Sequence, residues 1–219
     1  MTVRVMLVAP ALGTEGRAGR FGDDLPLTDA ELAPARALAA PRADLVLAAP
    51  SARCRQSAAA LGRYGAGVGA GVCGGALPTE PALAEPALVE PALAGLDAGD
   101  WRGRRLDELA ATAPESITRW LSDPDFAPPG GESVSALLAR VGGWLDALPA
   151  DTGRLLAVAE PAAVRAAVVH ALGLPPAAFW RLDVVPLTLT ALSGRAARWN
   201  LRCGAPLPPL PPPLLAPVG

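Results

Sequence analysis

VRVMLVA (Val3–Ala9) is a continuous, partly β-branched apolar run, the pattern of a strand covered on both faces. Downstream, Thr28-Asp29-Ala30-Glu31 is a capping box that predicts a helix to about Ala40, with Pro41 as its stop. DLVLA (Asp44–Ala48) is a second short apolar strand. SARCRQSAAALGRY (Ser51–Tyr64) has a helical pattern, with Ala58, Leu61 and Tyr64 on one face. Strand, helix, strand, helix in this order predicts an α/β fold built on a doubly wound sheet.

The rest of the chain extends that pattern. Gly65–Ala76 is glycine-rich and reads as a loop. Glu-Pro-Ala-Leu then occurs three times, at Glu80–Leu83, Glu85–Leu88 and Glu90–Leu93. A proline every fifth residue blocks helix interiors and central strands, so residues 76–94 are expected to be an inserted surface loop. Helices are predicted near Arg105–Ala111, over Glu115–Ser122 and from Ser133 to Leu148. Arg154–Ala159 predicts a third strand, and Pro161 opens a helix reaching Leu172. Val184–Leu192 and Ala197–Leu201 supply one or two further strands. One domain over residues 1–204 follows, with residues 205–219 as a proline-rich tail expected to be disordered.

The 219 residues suffice for one domain, and 51% hydrophobic against 18% charged allows a full core. All 19 basic residues are arginine. That skew, with abundant Ala, Gly and Pro, fits a GC-rich bacterial genome and discounts the mean hydropathy of +0.32. A net charge of −2 carries no electrostatic footprint for nucleic acid. There is no apolar run long enough to span a membrane and no signal-peptide pattern. Cys54, Cys73 and Cys203 are odd in number and widely spaced, which reads as free thiols in a reducing cytoplasm. The single histidine, His170, excludes any site that needs two, and no metal or organic cofactor is implied.

Several segments, in order, resemble the histidine phosphatase superfamily, the phosphoglycerate mutase-like proteins. That family opens with a strand ending in Arg-His-Gly, followed by Pro-Leu-Thr; here Val5–Val8 leads into Ala9-Pro10-Ala11, and Pro26-Leu27-Thr28 follows. The family's Ser-Pro-Leu-x-Arg-Ala-x-Gln-Thr-Ala is matched by Ala49-Pro50-Ser51-Ala52-Arg53-Cys54-Arg55-Gln56-Ser57-Ala58. Its Leu-x-Glu-x-x-x-Gly-x-Trp-x-Gly is matched by Leu93 to Gly103, with Gly95 at the acidic position and Trp101 kept. Pro-Gly-Gly-Glu-Ser stands intact at Pro129–Ser133. Val-Ser-His-Gly becomes Val158-Ala159-Glu160-Pro161, with Arg165 downstream. The resemblance covers about residues 3–202 and implies a three-layer α/β/α sandwich with a mostly parallel sheet.

It also implies which side chains the family chemistry would require. A histidine attacks phosphorus, a second histidine and two arginines hold the phosphoryl oxygens, and an acid protonates the leaving group. Carried over position by position, these places hold Pro10, Glu160, Ala9 and Gly95, and only Arg53 keeps its type. His170 lies ten residues beyond Glu160 on the same predicted helix, ~15 Å away, and reads as a helix-packing residue. The matched positions sum to zero charge, Arg53 against Glu160. At ~4 Å and an effective dielectric of ~20 a unit charge pair is worth roughly 4 kcal/mol before desolvation, so a repulsive carboxylate opposes phosphate binding.

Arg17 and Arg20 on the loop before Pro26 could restore positive charge; Arg102 is a weaker candidate, and all three also read as surface arginines. Thr14 lies on the same loop without an adjacent base. Glu160 reads as a cap on the helix opened by Pro161, as a partner of Arg53, or as an acceptor for a neutral or cationic ligand. Asp97 and Asp100 could add carboxylates, and Glu132 and Ser133 read as partly structural. Three functions follow: a non-catalytic protein that binds a small ligand or regulates a partner, an enzyme of another class using Glu160 and Arg53, and a residual phosphatase with a displaced nucleophile. No oligomeric state is implied.

Overall fold

The computed structural model describes residues 2–13, 19–22, 24–63, 87–195 and 198–210. β1 (Val3–Val8) is central because five of its six residues are buried, which requires cover on both faces. It pairs in parallel with β6 (Arg154–Val158) and antiparallel with β7 (Thr188–Arg195). β6 pairs in parallel with β3 (Leu45–Ala48), which pairs in parallel with β5 (Leu88–Val89). β8 (Arg198–Pro206) closes the other edge antiparallel to β7, giving the order β5-β3-β6-β1-β7-β8. Helices flank this mostly parallel sheet as a three-layer α/β/α sandwich, and one core of strand and helix residues runs through it.

Asp44 ties the start of β3 to β6. Its carboxylate accepts from the Arg154 backbone N–H at 2.9 Å and from the guanidinium at 3.0 Å. That contact joins the amino ends of the two strands; from their carboxyl ends the chain leaves for α2 (Ala52–Ala60) and α6 (Pro161–Ala171). α5 (Val134–Asp146) packs on α6, and Gly142 is what allows it: a Cβ there would stand 2.3 Å from His170 Nδ1. His170 Nε2 lies 3.0 Å from Asp146 across the same contact, so the histidine belongs to helix packing.

Four expectations need correction. The capping box at Thr28 and Glu31 is present, but α1 (Asp29–Arg36) ends well before Ala40. Ala39–Ala40 (β2) instead pairs with Gly62–Arg63 (β4), which in turn truncates α2 at Ala60. The last Glu-Pro-Ala-Leu copy is not surface loop. Leu88–Val89 forms the sheet edge, and Pro91–Leu93 is a 3₁₀ turn with Leu93 fully buried. The third correction concerns the tail, whose first residues are docked. Leu207 is buried, Ala39 N–H donates to Pro208 O at 2.8 Å, and Leu210 N–H donates to Ala37 O at 2.9 Å. Fourth, β8 runs on to Pro206 rather than stopping at Leu201, because it stays paired with β7. Tyr64, Gly65–Ala76, the first repeat copy and residues 211–219 lie outside the described residues. α3 (Leu106–Thr112) and α4 (Pro114–Ser122) stand where the pattern placed them, and none of the described helices is long and apolar enough to cross a membrane.

Candidate functional site

The carboxyl ends of β3 and β6 lie side by side in a parallel sheet, the position where such folds bind ligands. β3 ends at Ala48, and Ser51 caps α2 by accepting from the Cys54 N–H. β6 ends at Val158, and Glu160 precedes Pro161, the first residue of α6. Glu160 makes no side-chain cap to its own helix. Its carboxylate crosses to α2 instead. Oε1 accepts from Ser51 Oγ at 2.6 Å and from Arg53 Nε at 2.9 Å, and Oε2 accepts from Arg53 Nη2. Cys54 Sγ lies 3.5 Å from Oε1. Of the readings open for Glu160, the one present is therefore the pair with Arg53, and its oxygens are taken by α2 rather than offered to a ligand.

The electrostatics follow from burial. Glu160 is only 5% exposed. Desolvation works against the Arg53 charge, but the hydrogen bonds and charge of Glu160 overcome it and raise the Arg53 pKa. Burial, reinforced by the Glu160 charge, pushes the Cys54 thiol far above its usual range, so it stays protonated and is no nucleophile. Removing one member of so enclosed an ion pair costs about 3–5 kcal/mol, because the other is left uncompensated.

The pair forms one end of a cavity of about 640 Å³. Gly95 borders it beside Glu160; a Cβ on Gly95 would stand 3.5 Å from the Glu160 Cγ. Asp97 lines it too, exposed and paired with Arg102 at 2.7 Å. Hydrogen bonding from the Gly99 N–H, with help from Arg102, lowers the Asp97 pKa. Arg165, on the second turn of α6, lines the wall and donates from Nε to Leu182 O at 2.7 Å. Burial lowers its pKa, and Asp183 partly offsets that. Beside it the wall is aromatic, with Phe21, Trp120, Phe179 and Trp180.

Other candidates sit elsewhere. Ala9 and Pro10 are buried but are not among the residues that line the cavity. The Ala9 backbone joins Thr188 and Leu187, and the Ala11 N–H donates to the buried Ser57 Oγ at 3.0 Å. Arg20 donates to Gly103 O at 2.9 Å and does not line the cavity, which corrects its placement as a pocket residue. Thr14 and Arg17 lie outside the described residues. Asp100 is exposed and away from the lining. Glu132 forms two hydrogen bonds with Arg140, at 2.9 and 2.8 Å. Arg140 also reaches Ala92 O at 2.8 Å and Gly95 O at 3.2 Å, so this motif holds up the cavity's edge. Sequence reasoning missed Arg140 and the aromatic wall. The four rings come from positions 21, 120, 179 and 180, which no local spacing connects.

A family model, histidine phosphatase superfamily (branch 1), matches residues 76–204. The chain belongs to that superfamily. The match takes in Gly95, Asp97 and Glu160, which line the cavity, and the Pro129–Ser133 motif. Among solved structures, the alpha-ribazole phosphatase from Shigella flexneri is 20% identical with a TM-score of 0.71, over 91% of this chain and 95% of that one. The mycobacterial glucosyl-3-phosphoglycerate phosphatase Rv2419c is 21% identical with a TM-score of 0.70, over 93% and 98%. These neighbours share the fold. Bifunctional protein Rv2228c of Mycobacterium tuberculosis is 39% identical over 66 residues. That match is 30% of this chain and spans only 18% of the relative's length.

Proposed function

We propose that this superfamily member does not hydrolyse phosphoesters through a histidine nucleophile, and that its cavity holds a small non-phosphate ligand. The observation that carries this reading is the Glu160 carboxylate seated on Arg53 and Ser51. A carboxylate in that place acts as a built-in anion. It satisfies the one arginine that keeps its family type and repels a phosphoryl group. Supporting it, the position after β1 is Pro10, which has no side-chain heteroatom, and the position of the family acid is Gly95. His170, the single histidine, contacts Asp146 on α5 and does not line the cavity. The Ser51 hydroxyl caps α2 and donates to Glu160, and Cys54 is a buried neutral thiol, which excludes the thiol as a replacement nucleophile. An enzyme of another class built on Arg53 and Glu160 is less well supported, since each satisfies the other.

The structural neighbours, named as phosphatases, supply the competing expectation, phosphoester hydrolysis, and one set of assays separates the two. The purified protein is tested on an aryl phosphate and a panel of phosphomonoesters, and inorganic phosphate is titrated by calorimetry. No turnover and no phosphate heat are expected from the wild type. Glu160→Ala, which frees Arg53 and Ser51, should bind phosphate at least about tenfold more tightly, the equivalent of ~1.4 kcal/mol. Wild-type turnover that disappears in Arg53→Ala would overturn the reading.

A further inference from the structure

The chain holds nine aromatic residues, five Trp, three Phe and one Tyr. Six of them, Phe21, Trp101, Trp120, Phe126, Phe179 and Trp180, form one chain of ring contacts beside the cavity. Trp180 joins the sets from α4 and the 3₁₀ segment Pro176–Arg181, 4.3 Å from Trp120 and 4.8 Å from Phe179. Phe21 and Trp180 keep part of their surface exposed where they line the cavity, while Trp120 and Phe179 back them from the core. Rigid rings held from behind are a preformed platform for a flat apolar group.

The cavity's charges are distributed unevenly around that platform. Arg53 is bound to Glu160, and Arg102 to Asp97. Asp24 accepts from the Ala52 N–H at 2.6 Å. Arg165 differs. Among the described residues no carboxylate lies within ion-pair distance of it, and its one hydrogen bond is from Nε to Leu182 O. Its guanidinium carbon stands 5.8 Å from the Phe179 ring centroid, next to the platform. With Nε occupied, the two terminal nitrogens remain as a planar fork, which matches a carboxylate's paired oxygens.

We propose that the cavity binds a planar aromatic monocarboxylate, its ring against Trp180 and Phe21 and its carboxylate on Arg165. This rests on the reading that Glu160 closes the Arg53 position, which leaves Arg165 as the lining cation without a carboxylate partner among the described residues. A dianionic phosphate does not fit the same balance, because Glu160 and Asp97 already neutralise Arg53 and Arg102, and the Arg165 guanidinium offsets only one unit of charge.

Calorimetric titration of the full chain with 2-naphthoate and with its neutral isostere 2-naphthamide tests the proposal. The wild type should bind the carboxylate about tenfold more tightly, the scale of one charge-assisted bidentate contact. Arg165→Gln should bring the two ligands to equal affinity, and Trp180→Ala should weaken both. If Arg165→Gln does not fold, Arg165→Lys carries the test, with naphthoate binding reduced about threefold and naphthamide unchanged, since a point charge replaces the fork. No binding by the wild type, equal affinities, or a carboxylate preference that survives Arg165→Gln or is undiminished in Arg165→Lys would overturn it. Phosphate binding or turnover that depends on Arg53 would instead defeat the reading of Glu160, and the Arg165 comparison would still report separately.

Discussion

Arg140 shows how much one side chain can hold. It meets Glu132 through two hydrogen bonds and also donates to carbonyls of Pro91, Ala92, Ala94 and Gly95, with its side chain 28% exposed and that of Glu132 17% exposed. Arg140→Ala leaves Glu132 and several carbonyls without a partner. It should lower stability by about 2–4 kcal/mol in urea unfolding. The intact Pro-Gly-Gly-Glu-Ser run signalled that Glu132 mattered, but no rule of spacing pointed to an arginine eight residues later as its partner. Asp97 sets a pH dependence at the same scale. Its pKa is lowered in the folded state, so its contribution is present above the unfolded value near 4 and is lost as pH falls through the lower folded value. Melting temperature should therefore fall on acidification below about pH 4, and Asp97→Asn should flatten that slope.

At the scale of elements, the contact of α5 with α6 depends on a helical glycine. Propensity alone says Gly142→Ala should stabilise α5 by about 1 kcal/mol. The His170 ring occupies the place of the new methyl group, so thermal unfolding should instead show a loss of about 1–3 kcal/mol. His170→Ala combined with Gly142→Ala should recover part of it, because the clash is between those two groups. The helix start at Thr28 and the helix order after Arg105 were legible because caps and apolar periodicity are local. The ends of α1 and α2 were not, because the pairing of Ala39–Ala40 with Gly62–Arg63 joins segments far apart in sequence. The end of the Glu-Pro-Ala-Leu repeat misled for a similar reason. Proline every fifth residue excludes a long helix, yet a two-residue strand before Pro91 and a single 3₁₀ turn opening on it fit the spacing.

For the whole molecule, the docked segment 207–210 gives the clearest test. Leu207 is 4% exposed in the main core, although composition placed it in a disordered tail. Leu207→Ala should cost about 2–4 kcal/mol in denaturant unfolding, where a disordered tail would show almost no change. The order of strands and helices, the parallel sheet, the superfamily and the segments meeting at the carboxyl edge could all be read from the amino acids in line. Each rests on local periodicity, caps or short motifs that survive without neighbours. Which of the open readings of Glu160 holds, the contact of His170 with Asp146, the aromatic wall and the place of Arg165 beside it could not. Each depends on which distant segments β3, β6, α4 and α6 bring within a few ångströms, and on how little water is left there to screen or satisfy what they carry.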